Sequence, residues 1–474
     1  MAIVLALCAA YVAYCLGTNP AGPITTPDSL RYLDASAIYP LGYPLFLKVV
    51  GARGAILVQP ILFTAALAFL GREIVTLTRS TWLAAAVVAG SMVLPQIREF
   101  HASILSESLF LSLLIAFLGF AVRFAYHPTW HLMVLLATTA GLNGTIRRTG
   151  FAMLPVMLAM VLMQRHRLRG SQPALFFVAA VAPFFVIFGA EQAVAAVVHA
   201  GNTSSLMGRH MFAKAALIDA PPATAAASPG KPGGAAADPL RTALDQHLQS
   251  DYAPIRALLA AAPADLRGVL SIYYETCLQG GCVDRSRALM PGVDESEQTQ
   301  RLGAAGNARI LRAPGAFARL LAMNYLSLWT VDRLRHPDRA SRLNAFIASH
   351  RPMPFERLAF SLEPDHTLEF QPSPRVRYVQ IMINVIAIWT AGIAVLGLIA
   401  ALASPRLPPM FAVAATAALA AHGGLLFTAA LAAGFSRFTL GLWPAIVMAS
   451  AFGLWALAFR LREDAPSKQA ATAR

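Results

Sequence analysis

Acids and arginines stand at the edges of apolar runs in this chain, where a charge is costly unless it is paired, hydrated or used. The first acids lie in "TPDSLRYLDASAIYPLGYPLFL", residues 26–47. Asp28, Arg31, Tyr32 and Asp34 precede an apolar turn containing Tyr43, in which Pro40 and Pro44 hold φ and Gly42 permits a tight bend. The spacing predicts a short helix from Asp28 or Ser29, then a rigid return into the membrane. Asp28 has two readings at this point. It is a carboxylate facing a membrane cavity, able to act as a general base, or an acid that merely favours a helix N-terminus.

Glu107, in "IREFHASILSESLFLSLL", opens a clean apolar run at the membrane edge and is a functional candidate by default. His101, six residues earlier, is either its partner or a plain interfacial histidine. Arg147 and Arg148, in "GLNGTIRRTGFAMLP", lie between two apolar stretches, and arginine's fork suits phosphate because it donates two parallel hydrogen bonds. Arg437, in "AGFSRFTLGLWPAIV", has no acid nearby in sequence. It either snorkels to lipid headgroups or joins the pair in holding an anion. Acids for proton transfer and arginines for phosphate together suggest group transfer from a lipid-linked phosphate. No Walker, HExxH, GxSxG or Rossmann pattern offers another chemistry.

The elements that must carry these residues are membrane helices. Of 474 residues, 57% are apolar and 13% charged, and mean hydropathy is +0.57; a soluble domain has about 25% charged residues. Apolar runs of about 17–25 residues recur, whereas the alternating rhythm of a membrane barrel is absent. The expected fold is an all-α polytopic membrane protein of about ten to eleven transmembrane helices, with outer-face loops and a mostly helical extracytoplasmic region. Spans are expected at about 1–17, 52–70, 81–97, 104–122, 131–146, 150–163, 174–199, 377–402, 409–433 and 438–460. The first run is alternatively a signal peptide, although it lacks a basic n-region and a small-x-small cleavage site.

Basic connections such as "GREIVTLTR", "QRHRLRG" and the tail 461–474 gather on one side, which puts both termini inside by the positive-inside rule. The same rule accounts for the net charge of +14, and no nucleic-acid motif or basic face accompanies it. Residues 1–199 then form an N-terminal membrane module, 200–376 an outer region, 377–460 the C-terminal spans and 461–474 a cytoplasmic tail, whose end "PSKQAATAR" (466–474) reads as disordered. Within the outer region, 220–239 is Pro/Ala/Gly-rich and reads as a flexible loop. Residues 313–331 suit an interfacial helix better than a span. Cys277 and Cys282 bracket a Gly-Gly turn in that region and are candidates for a disulfide if it is extracytoplasmic.

The chain resembles the GT-C superfamily of integral-membrane glycosyltransferases, which use polyprenyl- or dolichyl-phosphate sugars. The resemblance rests on "PDSLRYLDASAIYPLGYPLFL", "ILSESLFLSLL", "IRRTGFAMLP", "RILRAPGAFARLLAMNYLSLW" and "SRFTLGLWPAI", in that order. It implies inverting transfer of a sugar from a polyprenyl phosphate to a lipid, glycan or protein acceptor, at the outer face of a bacterial cytoplasmic membrane. By it, Asp28 occupies the place of the catalytic acid, and Glu107 the second acidic place, where some members bind a divalent metal. Arg437 and one of Arg147 and Arg148 would hold the lipid phosphate, with Tyr32, Tyr43 and His101 as candidate substrate contacts. Many members carry two adjacent acids in the first loop; here Ser29 follows Asp28, and Asp34 is the rival base. No cofactor is required by the sequence. The competing readings are a lipid or glycolipid transporter, against which stands the lack of an internal repeat, and an inactive membrane subunit.

Overall fold

The computed structural model of the chain describes residues 1–20, 22–167, 172–199, 207–221, 239–250, 252–261, 282–329, 374–403, 407–431 and 437–471. These residues are overwhelmingly helical, and no β-strand occurs among them. A single parallel bridge pairs Ile24 with Ser103. The chain divides into two compact units, residues 1–201 with 385–425 and 440–474, and residues 202–384 with 426–439.

In chain order, the first unit begins with α1 (Ala2–Thr18), α2 (Pro27–Leu33), α3 (Gly42–Thr78), α4 (Thr81–Met92) and α5 (Pro95–Ala102). It continues with α6 (Glu107–Tyr126), α7 (Trp130–Ile146), a short 3-10 turn (Arg148–Ala152), α8 (Met153–Met163) and α9 (Gln172–Val198). α3 packs along α6 and α7 along α9. Phe63, Phe110, Phe117, Phe124 and Phe184 are fully buried in this core. Phe177, Phe185, Val186 and Val197 stay exposed on α9, an apolar face of the kind that lipid covers.

The second unit holds α10 (Met207–Ala216), α11 (Pro239–Ser250), α12 (Ala253–Ala261), α13 (Cys282–Arg287), α14 (Glu295–Arg312) and α15 (Pro314–Leu328). The C-terminal carbonyls of α10 lack partners within the helix, and buried arginines supply them. Fully buried Arg309 donates to the Ala215 carbonyl at 3.0 Å and to the Ile218 carbonyl at 3.2 Å, while Arg256 donates to that of Ala216 at 3.1 Å. The chain closes with α16 (Pro374–Ala403), α17 (Pro409–Leu431), α18 (Arg437–Leu440) and α19 (Trp443–Ala471).

Among the described residues, five helices are long and apolar enough to cross a bilayer: Gly42–Thr78, Glu107–Tyr126, Gln172–Val198, Tyr378–Ala403 and Pro409–Leu431. α4 and α5 meet the same test together, as a pair bent by 62°. The chain is therefore an all-α polytopic membrane protein. Several expected spans are shorter or broken. The run 81–97 splits at Leu94, which is extended because the ring of Pro95 disfavours a helical residue before it. Ala2–Thr18, Arg148–Met163 and Trp443–Ala458 are apolar but shorter than the full set, and α7 has 17 residues. α3 is interrupted at Gly51, whose φ of 72° separates residues 42–50 from the expected span 52–70.

α15 has 15 residues and exposes Arg319, so it is too short to cross alone. α19 continues as helix to Ala471, through the tail expected to be disordered. Most of the 220–239 loop, Cys277 and the side chain of Cys282 lie outside the described residues.

Candidate functional site

α2 is held at its start by a capping box in which the Thr26 N–H donates to Ser29 Oγ at 2.8 Å. Buried Ser29 in turn donates its hydroxyl proton to the Ile104 carbonyl at 2.9 Å. Ahead of the helix, the Ile24 N–H donates to the Ala102 carbonyl at 2.9 Å, and the Ile104 N–H to the Ile24 carbonyl at 3.0 Å. The opening loop is thereby stitched to the segment that leads from α5 into α6.

Asp28 occupies the first turn of α2, as the helix-start reading requires. A hydrogen bond goes beyond that reading: Tyr39 Oη donates to Asp28 Oδ1 at 2.9 Å. Burial, and then the Asp28 charge, push the Tyr39 phenol up to about 12, so it stays a donor throughout the neutral range. The nearby Arg31 works the other way, lowering it by a smaller amount. The Tyr39 ring lies 4.8 Å from that of Tyr32, whose hydroxyl shares a 3.0 Å hydrogen bond with Ser106 Oγ.

Ser106 directly precedes Glu107, which is buried at the start of α6 and meets Arg147 Nη1 at 2.7 Å. Burial alone would lower the Arg147 guanidinium, but Glu107 outweighs it and Asp28 adds a smaller effect, so the group is held above its ordinary value. Burial first, and then Glu107, raise the Tyr32 phenol. Asp28, Tyr39, Tyr32, Ser106, Glu107 and Arg147 thus form one constellation.

Arg148 turns elsewhere. It forks onto Glu191 of α9, with Nη1 to Oε2 at 2.8 Å and Nη2 to Oε1 at 3.0 Å. Its guanidinium also lies over the rings of Phe188 at 5.2 Å and Phe151 at 5.9 Å. The same Glu191 Oε1 accepts the N–H of Leu41 at 3.1 Å, just where the "YPLGYP" turn enters α3. That turn needs Gly42, since a Cβ there would lie 2.6 Å from Thr145 Oγ1 and 2.7 Å from the Thr145 carbonyl of α7.

Of the other expected residues, Tyr32, Tyr43 and His101 are buried and brace the site instead of lining an open face. Tyr43 Oη donates to Gln59 Oε1 at 3.2 Å, and Gln59 Nε2 donates to the His101 and Ser103 carbonyls at 3.1 and 3.2 Å. His101 Nδ1 shares a 2.6 Å hydrogen bond with Ser108 Oγ. Asp34 is exposed at the C-terminal end of α2, and no hydrogen bond among the described residues ties its carboxylate to the constellation. Arg437 begins α18 in the second unit, and its side chain lies outside the described residues.

Three residues of the site escaped the sequence reading: Tyr39, Ser106 and Glu191. Only Glu191 carried a signal, as an acid inside the apolar run 174–199. Among the described residues no three His, Cys, Asp or Glu side chains converge on a point that could hold a metal ion, and Glu107 faces a guanidinium. The arrangement offers a half-buried, hydrogen-bonded carboxylate and, in the same constellation, a half-buried guanidinium balanced by a buried carboxylate. Compared with models of protein families, with curated proteins and with solved structures, the chain finds no match.

Proposed function

We propose that the chain is an inverting, GT-C-like glycosyltransferase that moves a sugar from a polyprenyl phosphate to an acceptor hydroxyl. The observation that carries this reading is the chain of contacts from Asp28 through Tyr39 and Tyr32 to Ser106, the residue that precedes Glu107 and its partner Arg147. In the reaction, Asp28 takes the acceptor proton as the acceptor oxygen bonds to the anomeric carbon. The bond from that carbon to the phosphate oxygen breaks on the opposite face, and polyprenyl phosphate leaves with its electron pair. A phosphate leaving group needs charge stabilisation and no proton donor. Arg147 supplies that stabilisation in this scheme; Arg148, fully engaged by Glu191, braces it. Arg437 is a further candidate for the phosphate. The positive-inside distribution supports an outer-face site in a bacterial cytoplasmic membrane, with both termini inside.

One observation favours a second reading. Arg147 and Arg148 are each already neutralised by a carboxylate, as suits a non-catalytic membrane subunit or a lipid transporter. Transfer by purified protein in nanodiscs, with a polyprenyl-phosphate hexose as donor, separates the two. Asp28→Asn should lower the rate by about 10²–10⁴ at unchanged thermal stability, with Asp34→Asn near wild type. Full activity in Asp28→Asn sinks the base assignment. Loss in Asp34→Asn alone moves the base to that residue.

A further inference from the structure

Among the described residues, Glu191 is the one acid in contact with both Leu41 and Arg148, the two halves of the candidate site's framework. Its side chain is 5% exposed, and each carboxylate oxygen takes two donors. Oε1 accepts the Leu41 N–H at 3.1 Å and Arg148 Nη2 at 3.0 Å, and Oε2 accepts Arg148 Nη1 and Gln192 Nε2, both at 2.8 Å. Leu41 lies two residues after Tyr39, the donor to Asp28. Arg148 lies next to Arg147, the partner of Glu107. One carboxylate on α9 therefore ties down the backbone that presents the Asp28 clamp and the backbone that presents the Glu107 partner.

A structural ion pair would need only Arg148. The Leu41 bond is different in kind, because a buried carboxylate has been spent on one backbone N–H at the end of the loop that carries Asp28. That N–H opens α3 and has no carbonyl one turn earlier within the helix to accept it. Without Glu191 both ends lose their anchor together, since Arg148 would face its two aromatic rings with no counter-charge and Leu41 would have no acceptor.

We infer that Glu191 is a positioning residue that sets the distance between the Asp28 clamp and the Glu107–Arg147 pair through Leu41 and Arg148. The inference rests on the proposed transfer reaction for its catalytic consequence, but the geometry it asserts can be measured without any turnover.

The full-length protein in nanodiscs, followed by hydrogen exchange and mass spectrometry, gives that measurement. In Glu191→Met, peptides covering 39–45 and 145–152 should exchange about tenfold faster while those of α6 keep their wild-type protection. Glu191→Gln retains an acceptor for Leu41 and should leave 39–45 near wild type. Arg148→Met should open 145–152 alone, and serves if Glu191→Met does not fold. Wild-type exchange at 39–45 and 145–152 in Glu191→Met, or at 145–152 in Arg148→Met, overturns the inference. With a polyprenyl-phosphate hexose as donor, Glu191→Met should lower kcat by about 10²-fold with little change in KM, and Glu191→Gln should recover most of it. Wild-type kcat in Glu191→Met, where Asp28→Asn is inactive, also overturns it and leaves the proposed reaction standing. Faster exchange in Glu191→Met, with full transfer in Asp28→Asn, removes the reaction and leaves the positioning geometry in place.

Discussion

Tyr39 reaches back eleven residues to donate its phenol proton to Asp28, at 2.9 Å. The bond crosses the turn between α2 and α3, so the side chain that orients the carboxylate comes from the loop's return limb and not from the helix that carries Asp28.

Tyr39→Phe removes that donor and little else. Hydrogen bonds to charged groups contribute about 1.5–3 kcal/mol, and the bond is only partly buried. The expected outcome is a transfer rate lower by about tenfold, with a thermal midpoint at neutral pH modestly below wild type. The phenol is raised from its ordinary 10 to about 12 in the folded chain, so its contribution to stability is complete below pH 10 and lost as pH rises through 12. Alkaline thermal unfolding should show a shallower decline between those values in the variant.

Breaking the Glu107–Arg147 pair from one side strands a buried charge. Glu107→Gln or Arg147→Met alone should cost about 3–5 kcal/mol, seen as a lower unfolding midpoint in detergent. The double variant Glu107→Gln/Arg147→Met should be less destabilised than the sum of the two singles. Strict additivity would show that the pair is not coupled.

Gly150 follows Arg148 by two residues and lies against the end of α7. A Cβ there would sit 2.6 Å from the backbone carbon of Asn143 and closer still to the nitrogen of Gly144. Both are backbone atoms, so nothing can swing away. Gly150→Ala should cost about 1–3 kcal/mol and loosen the Arg148–Glu191 bond, detectable as faster exchange at 145–152. A wild-type midpoint with wild-type exchange would contradict this packing.

The buried arginine of the second unit makes a separate prediction. Arg309 donates to two carbonyls at the end of α10, to Gln249 and to Asp245. Arg309→Met leaves these acceptors dry, and the buried acid without one of its two arginines. Proteolysis of residues 207–312 should accelerate, while exchange in α3 and α6 should hold.

Much of the framework was legible from local chemistry. Thr26, Pro27 and Ser29 form a helix start at any site, and Asp28 and Glu107 were visible as acids at apolar edges. What escaped depended on contacts distant in sequence. Arg147 and Arg148 looked like one basic patch, but the extended backbone at Arg147, with φ −153° and ψ 129°, gives the two neighbours different carboxylates. Glu191 was hidden by its own span, because hydropathy averages over a lone acid. Apolar run length likewise does not register local breaks, such as the one at Leu94 that bends the expected span 81–97.

The opening loop is tied down at both limbs, to residues 102–104 through Ile24 and to α9 through Leu41. Between the two ties run only residues 25–40, seven of them already helical in α2. Such a segment cannot swing out as a hinged flap without breaking one tie or the other. It behaves as an anvil: a fixed edge against which any ligand must be pressed, with the ligand or the lipid around it doing the moving.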